Sequence, residues 1–330
     1  MNILADIISG TILFAIPLLL VALGGMFSER SGVINIALEG IMIIGALFSC
    51  LFMSAMEQTG FGTANPQLTV LLAILVAACT GILYSMMLAF AAIKLKADQT
   101  IGGTALNMLA PAVAIVLTWA IQGQGQSNIF IPSWTRITQQ SLGLEANSDF
   151  FTRLFFKSLY LTTPVALILL VLAVVVLYKT KVGLRLRACG EHPQAADSVG
   201  INVYRMRYLG VGISGLFGGV GGLAYALAAG TSFQSTVAGY GFLALAVMIF
   251  GNWKPMNILG ASLFFALFKN IGSYAASIPF LPQFKAIKAS EYIYLMLPYI
   301  VTMILLILTS KRSRAPKAEG IPYDKGGGQG

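Results

Sequence analysis

Side chains that could carry out acid–base or nucleophilic chemistry are scarce in this sequence. The only histidine, His192, lies in the polar segment Arg185–Arg207 between two long apolar segments. No carboxylate pair and no histidine–carboxylate pair occurs at helical spacing inside an apolar segment, so hydrolytic or transfer chemistry has no acid–base residues to use. We predict no catalytic residue, and we interpret His192 as a capping or interface residue. No metal site is predicted, because the three cysteines match no metal-ligand spacing: Cys50, Cys79 and Cys189.

The composition places these residues in a membrane protein. Hydrophobic residues make up 57% of the sequence and charged residues only 10%, whereas a soluble domain has about 25% charged residues. A helix needs about 20 mostly apolar residues to cross the hydrocarbon layer, and segments of that length recur along the chain. The predicted fold class is therefore all-α, a polytopic integral membrane protein with about nine (8–10) transmembrane helices. The predicted segments are Ile7–Phe27, Val33–Ala55, Leu68–Ile93, Ile101–Ile121, Ser158–Tyr178, Tyr208–Gly230, Val237–Gly251, Asn257–Ala275 and Tyr292–Thr309.

The distribution of Lys and Arg predicts the orientation. The net charge is +9, and the basic residues lie in short loops, where they set topology rather than bind nucleic acid. We expect the loop 179–207 and the basic residues after 310 in the cytoplasm, and the N-terminus outside. The domain prediction is one transmembrane domain over 1–310 and a disordered cytoplasmic tail over 311–330, which is polar and rich in Gly and Pro. For the short segment Val237–Gly251, a full crossing and a re-entrant helix are both open.

The loop 179–207 contains a candidate docking helix. Pro193 suits the first turn of a helix, and Gly200 suits the position after its C-terminal end. Between them, the small side chains of Ala195 and Ala196 would let another protein's surface come close. From the residue types alone, the alternative interpretation is a solvated loop whose charges only fix the topology.

Three segments of the sequence resemble one family of transport proteins. The first resembles the cytoplasmic coupling-loop signature of bacterial ABC-importer permeases. The residues that match it are Gly183, Arg187, Ala188, Gly190, the stretch "AADSVGI" (Ala195–Ile201) and Ser214-Gly215. "ERSGVINIALEGIMIIGA" (Glu29–Ala46) looks like the N-terminal signature of the branch for simple sugars, nucleosides and branched-chain amino acids. "GYGFLALAVMIFGNWKP" (Gly239–Pro255) looks closest to the nucleoside (basic membrane protein) subgroup.

The resemblance implies a set of partners in the bacterial cytoplasmic (inner) membrane. These partners are a second homologous permease, a cytoplasmic ATPase that is often fused in tandem, and an extracytoplasmic substrate-binding lipoprotein. ATP and Mg would bind to the ATPase, and no cofactor to this chain, which has no G-x4-G-K-[ST] phosphate loop. The position before the alanines, commonly acidic in the family, is Gln194 here, so the match is partial. The residues implied in ATPase coupling are Arg187, Glu191, Pro193, Ala195, Ala196 and Gly200.

Polar and aromatic residues within apolar segments are candidates for the substrate path. Asn35 and Glu39 share a helix face at four-residue spacing, and a carboxylate in a membrane is costly unless it is paired or hydrated. Thr104 and Asn107 form a polar stripe that suits a neutral, hydroxyl-rich solute, and Phe242 could stack on a base. The structural alternative, hydrogen bonding or packing between helices, is open for each of them.

Four glycines predict close helix packing. They form the pairs Gly215-x3-Gly219 and Gly218-x3-Gly222 within one apolar segment. Small residues one turn apart let two helix backbones approach closely. We expect this face to pack against a neighbouring helix or against the companion permease.

Together these features predict the transmembrane permease subunit of an ATP-driven ABC importer that forms the translocation path for nucleosides. Simple sugars such as ribose and branched-chain amino acids are the alternative solutes within the family. An alternative of another class is a stand-alone secondary transporter or channel. The scarcity of ionisable residues in the apolar segments argues against proton coupling.

Overall fold

The computed structural model of the protein describes residues 2–126, 128–138, 159–274, 296, 300–301, 303–304 and 315–325. Within these residues the fold is almost entirely α-helical. The helices are α1 (Asn2–Arg30), α2 (Leu38–Gln58), α3 (Phe61–Ala64), α4 (Pro66–Ile93), α5 (Gln99–Gln122), α6 (Thr162–Lys179), α7 (Lys181–Glu191), α8 (Pro193–Ser198), α9 (Val203–Ala229), α10 (Tyr240–Phe250) and α11 (Pro255–Tyr274).

Six of these helices are long and apolar enough to cross a membrane, namely α1, α2, α4, α5, α6 and α9. They coincide with the first six predicted segments. Their outer surfaces expose large apolar side chains such as Leu83 (70% exposed) and Met108 (72% exposed), an arrangement that suits contact with lipid. The prediction of an all-α, polytopic membrane protein is confirmed. The ninth predicted segment, Tyr292–Thr309, lies outside the described residues except for 296, 300–301 and 303–304, which are helical.

The two ends of the helix bundle differ in structure. We call the end that carries α7 and α8 the basic end. The opposite end carries two short antiparallel strand pairs. In the first, β1 (Ile129–Phe130), which follows α5, pairs with β4 (Ser232–Phe233), which follows α9. Since α9 has 27 residues, about 40 Å of helix separates the two ends. The second pair joins β2 (Arg136–Ile137) and β3 (Leu159–Tyr160), and a 3₁₀ turn, Ser133–Thr135, precedes β2.

The predicted segment Val237–Gly251 forms part of a complete but discontinuous crossing. Its helix α10 has 11 residues, a length of about 16 Å against about 30 Å of hydrocarbon. The chain reaches α10 from β4, at the opposite end, through the non-helical residues 234–239. It leaves at Trp253, whose carbonyl oxygen accepts a hydrogen bond from Arg30 Nη2 (3.1 Å) at the basic end. Non-helical chain and a half-length helix therefore complete the crossing together.

A second discontinuity lies between α1 and α2. Residues 31–37 are non-helical and turn back into the bundle after α1 ends. There Asn35 Nδ2 donates a hydrogen bond to Ser214 Oγ (2.8 Å). Ser214 is eleven residues beyond Val203, the first residue of α9, which is about 16 Å along that helix. Helix α2 therefore begins inside the bundle rather than at its surface.

Helix α9 lies at the centre, packed against α1, α2 and α4. A Cβ atom on Gly219 would overlap the carbonyl oxygen of Ala77 in α4, and one on Gly222 would overlap that of Met42 in α2. The backbones of α9 and its neighbours are therefore in direct contact. The other two predicted packing glycines face side chains of the same neighbours, Gly215 facing Ser85 in α4 and Gly218 facing Ile41 in α2.

This packing predicts the effect of adding a methyl group. We expect Gly222→Ala to lower the unfolding temperature in detergent, since overpacking a filled helix contact costs about 1–3 kcal/mol. The matched control is Gly260→Ala in α11, because a Cβ atom there would have nothing within 4 Å. Alanine also favours the helix over glycine by about 1 kcal/mol, so Gly260→Ala should be neutral or stabilising. Equal unfolding temperatures for the two variants would contradict the packing account.

Candidate functional site

Helix α7 is fixed to the bundle at the basic end. The Thr180 side chain caps its start by accepting a hydrogen bond from the Gly183 amide (3.2 Å). Near its end, Gly190 packs so closely on Arg30 that a Cβ atom would overlap the Arg30 carbonyl oxygen. The loop helix therefore contacts the end of α1 directly. Its buried face consists of Gly183, Leu186, Cys189 and Gly190.

Helix α8 occupies the position predicted for the docking helix. It begins at Pro193 and ends at Ser198, and Gly200 follows with φ of +82°, a left-handed conformation that glycine adopts readily. The two alanines lie on different faces. Ala195 is exposed, whereas Ala196 is only 3% exposed. The outer face of α8 therefore consists of Gln194, Ala195, Ser198 and the adjacent Val199.

The two charged residues among the coupling candidates make contacts within the chain. The Arg187 guanidinium lies 5.3 Å from the centroid of the Tyr178 ring, a cation–π geometry. Glu191 lies 4.0 Å from Arg30 Nη1. Both side chains therefore join α7 to neighbouring helices, and both keep part of their surface free.

Residues 315–325 are held against the bundle, whereas the sequence predicted a disordered tail over 311–330. The Ala318 amide donates a hydrogen bond to the Gly190 carbonyl oxygen (2.8 Å), and the Gly320 amide donates one to Gly32 (3.3 Å). The polar, Gly/Pro-rich composition lacks a local preference for order, but partners far away in the chain supply the contacts that fix this segment. The expected disorder of 311–314 and 326–330 concerns residues outside the described part of the tail.

Glu319 places a second carboxyl group against the end of α1. It hydrogen-bonds to Glu29, which also accepts a hydrogen bond from Trp253 Nε1 (2.5 Å). Burial raises the pKa of the Glu319 carboxyl to about 7, while its hydrogen bond with Glu29 and the charge of Arg30 act in the opposite direction. A protonated carboxyl can donate to its neighbour, so the pair attracts rather than repels while one of the two keeps its proton.

Glu39 joins the two discontinuities. Its Oε1 accepts a hydrogen bond from the Gly239 amide (2.8 Å), and its Oε2 accepts one from the Gly241 amide (2.6 Å). These amides lie at the start of α10, where a helix has no internal acceptors for them. Negative charge is also favoured at a helix N-terminus. Glu39, from the first turn of α2, therefore caps α10 in the interior of the bundle.

Asn107 supports the other discontinuity in the same manner. Its Oδ1 accepts a hydrogen bond from the Gly40 amide (2.7 Å), and its Nδ2 donates one to the Ile36 carbonyl oxygen (2.8 Å). Gln99 Oε1 accepts from the Ile34 amide (2.7 Å). The amide side chains of α5 thus replace the backbone hydrogen bonds that the break before α2 leaves unmade.

The remaining substrate-path candidates lie on the outside of the single chain. Phe242 is 52% exposed. Thr104 is exposed as well, and its hydroxyl donates to the Thr100 carbonyl oxygen (2.8 Å) of its own helix. The structure therefore brings Asn35, Glu39 and Asn107 to the two discontinuities and leaves Thr104 and Phe242 on surfaces open to lipid or to another chain.

Lys269 is an intramembrane charge that the sequence reasoning missed. Its Nζ lies 3.8 Å from the centroid of the Tyr240 ring, and that ring lies 4.6 Å from the ring of Tyr225. Tyr225 in turn lines a cavity of about 360 Å³ at the opposite end of the bundle. The available signal was a lysine inside the apolar segment Asn257–Ala275, since ionisable residues within membrane helices commonly mark function.

The capping role of Asn107 leads to a prediction. Asn107→Leu should lower the unfolding free energy by about 1–3 kcal/mol, because it leaves the Gly40 amide and the Ile36 carbonyl buried without partners. Thr104→Val, one turn earlier on α5, is the matched control and should cost much less, since Thr104 is exposed. Thermal unfolding in lipid nanodiscs measures both effects. An equal loss for the two variants would show that Asn107 does not support the break.

Glu319 predicts a pH dependence of stability. A carboxyl whose pKa rises from 4.5 to about 7 on folding binds more protons in the folded chain, so stability falls as pH rises between these values. Glu319→Gln, which stays neutral, should lose this part of the dependence. Unfolding temperatures from pH 5 to pH 8 measure the difference between wild type and variant. Parallel curves for the two proteins would contradict the assignment.

Comparison with known proteins places this geometry in a family. Residues 7–309 match the family described as the permease component of the branched-chain amino acid transport system. The guanosine ABC transporter permease protein NupQ of Bacillus subtilis is 44% identical over 326 residues, which cover 98% of both chains. The nucleoside ABC transporter permease protein NupC of Lactococcus lactis is 40% identical over 325 residues, again 98% of both chains.

A more distant relative and the solved structures complete the comparison. The putative glucose ABC transporter permease protein TsgC13 of Haloferax volcanii is 32% identical over 271 residues, 80% of this chain and 76% of the relative. No solved structure matches the chain. Whole-length similarity and a bundle of membrane-crossing helices agree, and the chain therefore belongs to this family of ABC transporter permeases, a transport component rather than an enzyme.

Proposed function

We propose that this chain is the permease subunit of an ATP-driven importer of nucleosides. The supporting observation is the similarity to two relatives whose names specify guanosine and nucleosides, each matched over 98% of this chain at 44% and 40% identity. Similarity over the whole chain includes the interior breaks as well as the lipid-facing helices. Purine nucleosides are therefore the first solutes to test.

The proposed orientation places the basic end in the cytoplasm and the N-terminus outside the bacterial inner membrane. The Lys and Arg residues of the loop 179–207 support it, since basic loops stay on the cytoplasmic side. The discontinuous crossing through α10 preserves the alternation of sides, because the chain passes from β4 at one end to Trp253 at the other. Segment 315–325 then lies on the cytoplasmic side as well.

The proposed partners follow from this orientation. A cytoplasmic ATPase would bind ATP and Mg and would dock on the exposed face of α8, where Ala195 permits close approach. A substrate-binding lipoprotein would deliver the solute at the opposite end, near the cavity lined by Tyr225. A second permease subunit would cover part of the outer surface. Thr104 and Phe242 keep exposed side chains for that subunit or for the solute.

The geometry indicates how movement of α8 would reach the membrane helices. Helix α7 touches α1 through Gly190 and Arg30, and α9 begins at Val203, three residues after Gly200. The backbone contacts of α9 with α2 and α4 leave little room for independent motion. A displacement of the loop would therefore move these helices as one body, as a switch between inward and outward access requires.

Simple sugars are the second candidate solutes. The observation that favours them is the relative named as a putative glucose permease, at 32% identity over 80% of this chain. Sugars and nucleosides both present a hydroxyl-bearing sugar ring. Competition for uptake between guanosine and glucose or ribose separates the two possibilities.

Uptake by the reconstituted transporter tests the proposal. Proteoliposomes that contain this chain, its permease partner, the ATPase and the binding protein should accumulate labelled guanosine only when ATP is present on the ATPase side. Ala195→Arg should reduce ATPase co-purification and uptake at least tenfold, because it places bulk and charge on the docking face. Thr63→Arg, at an exposed site on α3, is the control. Uptake driven by an ion gradient without the ATPase, or unchanged ATPase binding by Ala195→Arg, would contradict the proposal.

A further inference from the structure

Segment 315–325 has a buried anchor. Tyr323 is 5% exposed and packs in one cluster with Cys189 of α7, Ala196 of α8 and Val203 of α9. Its ring lies 5.3 Å from that of Tyr204. Burial of an aromatic side chain is favourable, so this anchor holds the segment against the inner face of α8.

A buried guanidinium holds the same segment from the other side. Arg207 is 1% exposed, and its Nη1 donates a hydrogen bond to the Ile321 carbonyl oxygen (2.9 Å). A buried charge is costly unless it is hydrogen-bonded. Segment 315–325 therefore supplies an acceptor that Arg207 requires, and the two stabilise one another.

Charged residues fix the outer part of the segment. Asp324 accepts a hydrogen bond from Lys96 Nζ (2.8 Å) in the turn between α4 and α5, and Lys325 lies 4.0 Å from Asp197 in α8. Exposed pairs of this kind contribute little energy. They do, however, set the direction in which the segment runs past α8.

Helix α8 depends on such contacts. It has six residues, far fewer than the roughly 12–15 that an isolated helix needs to be marginally stable. Its buried face consists of Pro193 and Ala196, and Tyr323 belongs to the cluster that covers Ala196. The orientation of its outer face therefore depends on what lies beneath it.

We propose that segment 315–325 is a positioning element that holds α8 in the orientation in which its outer face can dock on the ATPase. This inference rests on the proposed function, since it assigns the segment a role in the same docking event. The segment acts through α8, by linking it to α7, to α9 and to Gly32 in the non-helical residues after α1. Its own contact with the ATPase is not required.

Two variants and a matched control test the inference. A chain that ends after Arg314 and the variant Tyr323→Ala should each bind the ATPase at least fivefold more weakly than the wild type. A chain that ends after Lys325, which removes only 326–330, should bind as the wild type does. Tyr323→Phe, which keeps the ring but loses the hydroxyl that hydrogen-bonds to Asp197, should bind more tightly than Tyr323→Ala. Unchanged affinity for both the chain ending after Arg314 and Tyr323→Ala would overturn the inference.

A labelling experiment reports on α8 itself. In a background without other cysteines, Ala196→Cys should react slowly with a maleimide, because this position is buried. Adding Tyr323→Ala should accelerate the reaction at least fivefold if the segment positions α8, whereas the rate should be unchanged if it does not. Unfolding temperature is recorded in parallel, and where Tyr323→Ala impairs folding, the exposed double variant Asp324→Ala/Lys325→Ala is tested for the same acceleration.

The outcomes also separate this inference from the proposed function. If the wild-type chain itself binds no ATPase, the proposed function fails. If the wild-type chain binds, and the chain ending after Arg314 and Tyr323→Ala both bind equally well, only the role of segment 315–325 fails.

Discussion

The need to satisfy backbone hydrogen-bonding groups inside an apolar bundle governs this structure. Two chain segments lose helical structure at membrane depth, and there lipid offers no partners for their amides and carbonyls. Glu39 accepts hydrogen bonds from the amides at the start of α10, and Asn107 bonds both sides of the break before α2. Broken helices can exist in this protein because side chains from neighbouring helices take the place of the missing turns.

These interior breaks lie beside a region that cannot change shape easily. Gly219 and Gly222 bring α9 into backbone contact with α4 and α2. Such contacts transmit displacement instead of absorbing it, because packed interiors have low compressibility. In the proposed transport cycle, the packed helices would move as one body and the non-helical residues of the two discontinuities would change their backbone angles.

The sequence predicts the features whose causes are local. Apolar runs predict the membrane helices, and Pro193 with Gly200 predicts the limits of α8 within two residues. The roles of Glu39 and of Tyr323 depend on partners that are distant in the chain, and no local pattern specifies such contacts. The polarity of Glu39 indicated that it needs a partner but not that Gly239 and Gly241 supply it. For segment 315–325, the polar, Gly/Pro-rich composition indicated disorder. The segment is nevertheless ordered, because the atoms that hold it belong to α7, α8 and α9.

The contact between Glu39 and Gly239 spans 200 residues of sequence, which constrains the order of assembly during biosynthesis. Helix α2 enters the bilayer while the segment that contains α10 has not yet been synthesised. Until α10 arrives, the Glu39 carboxyl must stay protonated, hydrated or sheltered by the insertion machinery. The hydrogen bonds between Glu39 and the start of α10 can therefore form only in a late step of assembly, after the half-helix has been synthesised.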